Sequence, residues 1–351
     1  VRNRLDQYHA TGHIPQKVEL IVMGGTFPSF ERGYQEWFVE RCLSAMNSYP
    51  NKPEDSTLIS AQNRNETADI RCVGMTFETR PDWCDISWLL RLGCTRVELG
   101  VQNLHDEILR DIKRGHTVQD AVEATRRLKD AGLKVCYHMM LGLPGSSPEL
   151  DLGCFETLFS DERFRPDMLK IYPTVVCEGT GLHDMWKAGR YEPYSEKELI
   201  CLLKKIKKVV PEYVRIMRIQ RDIPTHQIIA GPKHTNLREY LGGCRCIRCR
   251  QAKGEVGDYE IGVLTYQASG GEEHFISAEG SELYGFCRLR VCEKNFIREL
   301  HVYGEQAPIG QKGSVQHRGI GKHLLKKAEE MAGGNLYVTS GIGARGYYLK
   351  L

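Results

Sequence analysis

Two glycines near the carboxyl end of the chain stand where a phosphate group could bind. Residues 316–325 read QHRGIGKHLL, with Gly319 and Gly321 in the pattern Gln-x-x-Gly-x-Gly, and they run into a predicted helix that follows a predicted strand at 297–302. The first amides of a helix lack partners within it and lie at its positive end, and glycine has no Cβ to hold a phosphate away. The pattern predicts a pyrophosphate site, and an ordinary glycine-capped loop is the alternative.

A second candidate site is the cysteine group Cys244, Cys246 and Cys249, spaced Cys-x-Cys-x-x-Cys. Three thiolates within six residues suit a tetrahedral zinc ion, with a fourth ligand from elsewhere: His234 and His226 are nearest in sequence, and a distant cysteine is possible. Free thiols on a basic loop are one alternative. An iron–sulfur cluster is another, but the spacing differs from Cys-x-x-x-Cys-x-x-Cys, and the group follows the predicted sheet. The sequence favours zinc.

Charge is distributed unevenly along the 351 residues. The net charge is +3, but residues 200–253 carry +10, which leaves −7 for the rest. A basic band on an acidic body favours a nucleic acid partner, and a solvated helix face is the alternative. The apolar stripe of the helix predicted after Ser195 directs four lysines outward, at Lys204, Lys205, Lys207 and Lys208.

The first 220 residues alternate predicted strands and helices, which indicates a parallel sheet, open or closed into a barrel. The predicted strands are 18–23, 71–77, 96–101, 134–141, 168–172 and 213–219. Capping boxes begin helices at Thr117 and Ser195. After residue 253 the alternation stops, and strands at 283–291, 297–302 and 336–339 predict a separate α+β unit. Residues 43–66 and 267–282 are polar, and we expect them to be mobile.

Polar or glycine-rich turns follow five of the predicted strands. Ligands of such sheets bind at the carboxyl ends of the strands, so these turns predict one shared site. The first four turns contain Gly24, Gly25 and Thr26, then Glu78 and Arg80, Gln102 and Asn103, and the stretch 142–145, and Lys170 with Tyr172 lies near the end of the fifth strand.

Composition excludes several classes of protein. No apolar run is long enough to cross a bilayer, and no signal peptide is apparent, so we expect no membrane partner. Thirteen scattered cysteines do not form the pattern of a disulfide scaffold, which indicates a reducing, cytoplasmic location. Because the chain begins with Val1 rather than Met, we expect a trimmed chain.

Together the motifs resemble those of the Elongator catalytic-subunit family, the radical S-adenosylmethionine and acetyltransferase enzymes of the tRNA wobble uridine. The resemblance covers essentially the whole chain. The matching stretches are KVELIVMGGTF (17–27), TFETRPD (76–82), GCTRVELGVQ (93–102), RGHTV (114–118), HMM (138–140), FRPD (164–167), KIYPT (170–174), RDIP (221–224) and RELHVYG (298–304).

The resemblance implies an α/β fold in three parts. Residues 1–225 would form a partial (βα) radical-SAM-type barrel without its first strand and cluster cysteines. Residues 226–253 would be a basic, zinc-binding linker. Residues 254–351 would be an α+β GNAT acetyltransferase domain without its last strands.

The resemblance also implies site residues. S-adenosylmethionine would be bound by Gly24, Gly25, Thr26, Glu78, Arg80, Gln102 and His138. Acetyl-CoA would be bound by Gln316, His317, Arg318, Gly319, Ile320, Gly321 and Lys322. The catalytic residues would be Lys170 in the barrel, with Tyr347 and Tyr348 near the thioester. The tRNA anticodon arm would be bound by Lys204, Lys205, Lys207, Lys208, Arg218 and Arg221.

The implied reaction is carboxymethylation of carbon 5 of the wobble uridine with acetyl-CoA and S-adenosylmethionine. The ligands of the four-iron four-sulfur cluster would precede residue 1, and other Elongator subunits are expected partners. One alternative is a protein lysine acetyltransferase that uses the barrel as a docking platform. The other is a non-catalytic scaffold that binds CoA or tRNA.

Overall fold

The computed structural model describes residues 1–219, 223–234, 237–305, 307 and 313–350. Its larger sheet has six parallel strands in the order β1-β2-β3-β4-β5-β7. This is the expected half-barrel. The strands are β1 Lys17–Val22, β2 Arg71–Thr79, β3 Arg96–Gln102, β4 Lys134–Leu141, β5 Met168–Pro173 and β7 Arg215–Ile219. A two-stranded sheet pairs β6 Val176–Cys177 with β8 Ile228–Ala230.

Helices connect these strands. Their bounds are α1 Arg2–Ala10, α2 Arg32–Asn47, α3 Leu58–Asn65, α4 Ile86–Leu92, α5 Asp106–Asp111, α6 Val118–Asp130, α7 Pro148–Ser160, α8 Gly181–Lys187, α9 Glu196–Val209 and α10 Ile247–Arg250. Both predicted capping boxes are present, at Thr117 with Asp120 before α6 and at Ser195 with Glu198 before α9. Reciprocal side-chain bonds to the free amides fix where these two helices start.

The second sheet has five strands in the order β13-β12-β11-β10-β9. Its strands are β9 Glu260–Ala268, β10 Gly271–Glu279, β11 Leu283–Val291, β12 Asn295–Val302 and β13 Leu336–Val338. The pairs are antiparallel except for β12 with β13. Helix α11, Ile320–Ala332, packs its Leu324 and Ala328 into the core of this unit, and α12, Arg345–Tyr348, follows β13.

The expectation of two mobile segments is wrong. Residues 267–282 form most of the β9–β10 hairpin, which turns at Ser269 and Gly270, both with positive φ. Residues 43–47 end α2 and residues 58–65 belong to α3, where Asn65 donates a hydrogen bond to Asn47 at 2.7 Å, while residues 48–57 form the connection between the two helices. Part of the polarity of both segments comes from buried hydrogen bonds and ion pairs, which composition alone does not distinguish from solvation.

The two sheets meet at the amino ends of the parallel strands through buried ion pairs. Asp167, just before β5, accepts two hydrogen bonds of 2.7 Å from Arg298 on β12. Arg298 also donates to Glu273 on β10 at 2.6 Å, and neither Asp167 nor Arg298 has an exposed side chain. Charges buried this deeply require partners, so the contact fixes the second sheet against the first.

The carboxyl-terminal segment also packs tightly against the parallel sheet. A Cβ on Gly341 would lie 2.1 Å from the carbonyl oxygen of Val73 on β2, and one on Gly343 would lie 2.4 Å from the Cβ of Arg71. The backbones are therefore in direct contact, which only glycine allows. Among the described residues, no helix has the length and apolar character needed to cross a membrane.

We predict that Asp167→Asn lowers the free energy of unfolding by roughly 3–5 kcal/mol, because the positive charges of Arg298, Lys129 and Arg288 remain buried with one carboxylate fewer to balance them. Urea denaturation measures the change. Glu123→Gln is the control, since Glu123 pairs with Arg126 at 3.1 Å on an exposed helix surface, where a loss of at most about 1 kcal/mol is expected. Equal effects of the two variants would contradict a joining role for Asp167.

Candidate active site

A buried carboxylate, Glu98, organises the interior of the parallel sheet. It lies on β3, and one of its oxygens is 2.8 Å from His138 Nε2 on β4 and also accepts a hydrogen bond from Lys170 on β5. The other ring nitrogen of His138 lies 3.5 Å from Glu78 at the end of β2. Four neighbouring strands thus bring Glu78, Glu98, His138 and Lys170 together, as parallel pairing aligns residues that face the same side.

These contacts shift the pKa values of the cluster. Burial alone would raise the pKa of Glu98, but the hydrogen bond from His138 and the charge of Lys170 lower it to about 2. Burial alone would lower the pKa of His138, but its bonds to Glu78 and Glu98 raise it. Burial alone would also raise the pKa of Glu78, but the hydrogen bond and the charge of His138 outweigh burial and lower this pKa. The cluster therefore favours two carboxylates around an imidazolium and an ammonium.

The turn after β1 joins this cluster. Gly24 and Gly25 have φ values of 108° and 91°, which favour glycine, and the Gly24 amide donates a hydrogen bond to Glu78. Thr26 precedes a short 3₁₀ turn, and Gln102, with φ 69°, ends β3. Three buried polar atoms near these strand ends have no partner among the described residues: Asn103 Nδ2, His116 Nδ1 and Thr174 Oγ1. The carboxyl ends of the strands thus offer donors and acceptors to a polar ligand.

Arg80 lies apart from the Glu78 cluster. Its guanidinium pairs with Asp82 two residues later and donates to the carbonyl oxygen of Gly115. The structure therefore brings Gly24, Glu78, His138 and Lys170 into contact but directs Arg80 to the neighbouring loop.

Glu98, Cys136 and His138 also lie close enough together to hold a metal ion. Their surroundings argue against one. Burial raises the pKa of the Cys136 thiol well above its usual value, so this sulfur stays protonated. Glu98 already balances Lys170 and His138, and a cation beside this ammonium would be repelled.

A cavity of about 350 Å³ lies at the opposite, amino ends of the strands, between the two sheets. Side chains of β1, β3, β4 and β7 form one wall, and β12 and the carboxyl-terminal segment form the other. The lining includes Glu19, Arg96, Lys134, Arg215, Ile297, His301, Tyr303, Thr339 and Tyr348. The cavity is therefore shared by both sheets.

The glycine turn lies beside this cavity. Gly319, with φ 90°, is the residue before α11, and no side chain caps the helix. Gln316 donates to the Val302 carbonyl at 3.3 Å and accepts from Lys17 at 3.4 Å, so the turn is held between β12 and the start of β1. His317 lies 3.5 Å from Lys17. Burial and the charge of Lys17 lower the pKa of His317.

The other residues of the turn lie at the start of α11. Arg318 donates to the Gly313 carbonyl at 2.9 Å, which closes the loop on itself. Ile320 is buried under the helix, whereas Gly321 and Lys322 are more open. The Gly319 carbonyl accepts hydrogen bonds from the amides of Lys322 and His323, at 3.0 Å and 3.1 Å, which closes the first turn of α11. A phosphate site at the remaining amides of this turn stays a prediction.

Two adjacent tyrosines connect the turn with the cavity. Tyr348 lines the cavity, and the hydroxyl of Tyr347 would lie 3.2 Å from a Cβ on Gly321. The two rings are 5.2 Å apart in an edge-on arrangement. Burial raises the pKa of both phenols, so they remain neutral hydrogen-bond donors at neutral pH.

The three cysteines lie together at the far edge of the half-barrel. The sulfurs of Cys244 and Cys249 are 3.6 Å apart, and Cys246 joins them within metal-binding distance. The Ile247 amide donates to Val214 just before β7, which is the edge strand opposite β1. Among the described residues, no histidine or carboxylate joins these three sulfurs as a fourth possible ligand. His234 instead pairs with Glu196 at 2.5 Å.

Lys204, Lys205 and Lys208 are exposed on α9, as predicted, but Lys207 is not. Its side chain is only 3% exposed, and its ammonium donates to the Gly242 carbonyl. The prediction of an outward Lys207 is wrong because the loop after β8 folds over that turn of the helix.

Arg218 pairs in register with Lys170, so it lies on the same side of the sheet. Arg221 lies outside the described residues.

Family models match most of the chain. The model of the Radical SAM superfamily matches residues 5–151, and that of the Radical_SAM C-terminal domain matches residues 166–242. A tRNA uridine(34) acetyltransferase of Methanocaldococcus jannaschii is 45% identical over 99% of this chain and 71% of its own length. Elongator complex protein 3 of Homo sapiens is 38% identical over 100% of this chain and 70% of its own.

A solved structure agrees over the whole fold. The archaeal Elp3 of Methanocaldococcus infernus, with an N-terminal deletion, is 44% identical and superposes with a TM-score of 0.90 over 99% of this chain and 91% of that one. The chain belongs to the Elp3 family of tRNA uridine(34) acetyltransferases. Its relatives are acyltransferase-type enzymes, and its radical SAM half implies S-adenosylmethionine and a four-iron four-sulfur cluster.

Sequence reasoning missed three residues of this Elp3-family chain: Glu98, Arg96 and Glu19. Arg96 lies 2.5 Å from Glu19 and 3.4 Å from Glu98, so the three extend from the His138 cluster to the cavity. A signal was available in β3, whose sequence RVELGVQ puts charges at alternate positions of an otherwise apolar strand. Alternate positions share a face, and charges on a buried face indicate a paired site.

We predict that Glu98→Gln lowers the pKa of His138, because the imidazolium loses its closest carboxylate. The raised pKa of folded His138 means that its contribution to stability is present below the ordinary value of 6.5 and is lost as pH rises through the folded pKa. In the variant this loss should occur at lower pH. NMR titration of the imidazole measures the shift. Glu272→Gln, which removes the partner of His274 at 3.1 Å, should leave His138 unchanged.

Proposed function

We propose that this chain uses acetyl-CoA and S-adenosylmethionine to carboxymethylate carbon 5 of the wobble uridine of tRNA. The observation that carries the proposal is the position of the glycine turn beside a cavity shared by the two sheets. The names of the relatives, tRNA uridine(34) acetyltransferases, support the same reaction.

In the proposed acetyl-CoA complex, the amides at the start of α11 hold the pyrophosphate. Gly319 provides the positive φ that the turn requires and leaves no Cβ in front of those amides. The pantetheine arm then follows β12 into the cavity, and Lys17 and Arg318 add positive charge beside the phosphates. We assign residues 254–351 to a GNAT domain on this basis, with 1–225 as the barrel and 226–253 as the linker.

Tyr347 and Tyr348 lie where the thioester would enter the cavity. A neutral phenol can donate a hydrogen bond to the thioester oxygen or to the leaving thiolate. Tyr347 is the better candidate for contact with incoming ligand because it is 42% exposed and close to Gly321, whereas Tyr348 is packed against the core.

S-adenosylmethionine fits the carboxyl ends of the strands, where Gly24, Gly25 and Thr26 would receive its methionine and Glu78 and Gln102 its polar groups. When bound there, it would supply the adenosyl group of the proposed reaction. Lys170 and His138 keep this end of the barrel charged and hydrogen-bonded. Near Gly24, the described residues include no set of three cysteines that could hold an iron–sulfur cluster.

The cysteine group suits a structural zinc ion. Cys244, Cys246 and Cys249 converge on one point. The hydrogen bond between Cys244 and Cys246 lowers the pKa of Cys246 and raises the pKa of Cys244, so the two sulfurs share one proton. A zinc ion bound by these three cysteines would fix the basic linker against the edge strand β7.

The tRNA surface is proposed to include the exposed lysines of α9 and the basic linker that follows β7. Lys204, Lys205 and Lys208 stand on one exposed helix face, and Arg245 continues the positive charge. Such contacts neutralise phosphates and position the anticodon arm, while unstacked loop bases supply specificity.

We predict that Gly319→Val weakens acetyl-CoA binding by about tenfold or more, since the branched side chain opposes the positive φ and covers the amides. Isothermal titration with acetyl-CoA measures the affinity. Gly333→Val is a matched control, because Gly333 ends the same helix with φ 60° and has equally open surroundings. Retained affinity in Gly319→Val, or an equal loss in both variants, would contradict the pyrophosphate assignment.

We predict that Lys204→Glu, Lys205→Glu and Lys208→Glu, combined in one variant, weaken tRNA binding and reduce its dependence on salt. For every phosphate that the variant no longer neutralises, the slope of log K against log salt should fall by about 0.7–0.9. A control variant reverses three exposed lysines of the other half, Lys294, Lys326 and Lys350. If both triple variants bind tRNA alike, α9 is not part of the interface.

A further inference from the structure

We propose that Arg114 and Arg80 hold a phosphate beside the wobble uridine at the carboxyl ends of the parallel strands. The inference rests on the proposed function, since it requires the anticodon arm of a tRNA to reach this end of the half-barrel. It assigns a phosphate contact to two side chains outside the basic band of residues 200–253, and this contact would position the uridine for the reaction.

Arg114 is a half-buried cation that forms no ion pair with an acid among the described residues. Its Nη2 donates to the carbonyl oxygen of Gly100 on β3 at 3.1 Å, and within the described part of the chain this is its one side-chain hydrogen bond. Arg114 Nε is enclosed, so it is closed to a ligand, whereas Nη1 is not among the enclosed atoms. A charged donor that reaches solvent is therefore left unused beside β3.

Arg80 brings a second guanidinium to the same loop. Its Nε donates to Asp82 at 2.9 Å, and its Nη2 lies 3.4 Å from the carbonyl oxygen of Gly115, the residue that follows Arg114. Arg80 Nη1 would lie 3.2 Å from a Cβ on Gly115, and it too is absent from the enclosed atoms. Each of the two arginines thus keeps one terminal nitrogen open to solvent.

The charges of this pair are only partly balanced. Burial and the charge of Arg80 lower the pKa of Arg114, and the charges of Asp82 and Glu78 oppose that change without cancelling it. Asp82 is already paired with Arg80. An anion that contacts both guanidinium groups would offset their repulsion, and the planar fork of arginine matches the oxygens of a phosphate.

The position of the pair suits a nucleotide whose base reacts in the half-barrel. Arg80 directly follows β2, and Gly100, the contact of Arg114, lies close to the end of β3. Both arginines therefore stand at the carboxyl ends, where S-adenosylmethionine is proposed to bind. Enzymes that modify a base take it out of its stack, and its own backbone phosphates stay within one nucleotide of it. A uridine that reaches these strand ends would bring a phosphate to their rim.

The adjoining surface favours a polyanion over the single carboxylate of a small ligand. Residues 110–116 contain three arginine and lysine side chains against one acid, Asp111, and both Arg110 and Lys113 are exposed. A nucleic acid presents one phosphate at every nucleotide, so it can contact several cations along its path. Exposed cations that continue outward from Arg114 fit such a ligand.

The test compares the binding of two anticodon stem-loop RNAs by fluorescence anisotropy. In one RNA the two phosphates that flank the wobble uridine are replaced by uncharged methylphosphonates, and in the other two stem phosphates are replaced. We expect wild type to bind the flank-substituted RNA about tenfold more weakly. Arg114→Gln should remove most of this difference by weakening the stem-substituted RNA alone. Arg110→Gln, which removes an exposed cation from the same loop, should preserve the difference.

The outcomes separate this inference from the proposed function. Arg80→Gln should also reduce the difference, and it serves as the test should Arg114→Gln not fold. If wild type binds neither RNA, the proposed action on tRNA is wrong. If wild type binds both RNAs equally, or if the Arg114 and Arg80 variants keep the difference, the phosphate site is overturned while the action on tRNA stands. An unchanged difference together with weaker binding of S-adenosylmethionine, measured by isothermal titration, would assign the pair to the methionine carboxylate instead.

Discussion

The ion pair between Asp167 and Arg298 determines how the two halves of this protein work together. Asp167 stands at the amino end of β5, and Arg298 lies in the middle of β12, so their bond sets the second sheet across the base of the half-barrel. Both groups are fully buried, and neither can reach water if the sheets separate only slightly. Because a buried pair is strongly destabilised when one partner is withdrawn, the interface tolerates little sliding. The cavity between the sheets owes its shape to that constraint.

This arrangement places two kinds of chemistry at opposite ends of one sheet. Glu78 and His138 face the carboxyl ends, where the turn after β1 can hold a polar ligand, and Arg96 faces the cavity at the amino ends. Glu98 stands between them on β3, with Arg96 on one side and His138 on the other. Each charged side chain from Arg96 through Glu98 to His138 and Lys170 lies beside a side chain of opposite charge, so these groups remain ionised without a bound metal. The same pairing means that a change at one end alters the electrostatic field at the other.

Local signals in the sequence predicted much of this fold. The capping boxes at Thr117 and Ser195 fixed two helix starts, and the glycine turn was placed correctly between β12 and α11. The packing of distant segments against one another was not predictable in this way. Lys207 has the same local pattern as its exposed neighbours, and only the loop that reaches Gly242 buries it. The hairpin 260–279 was missed since its polar residues, such as Glu273, pair with arginines far away in sequence.

Two of the three residues missed by sequence reasoning, Arg96 and Glu98, are charged and lie on a buried face of a strand, whereas Glu19 on β1 is partly exposed. In β3, Arg96 and Glu98 alternate with Val97 and Leu99, so one face of the strand is ionic and the other is apolar. An isolated hydrophobic core would not retain such a face, because replacing a buried ion pair by packed apolar side chains often costs nothing or stabilises. Its presence in the middle of a parallel sheet therefore requires a reason other than stability. The two ligands proposed for the ends of the strand, each with a need for a fixed charge, would supply that reason.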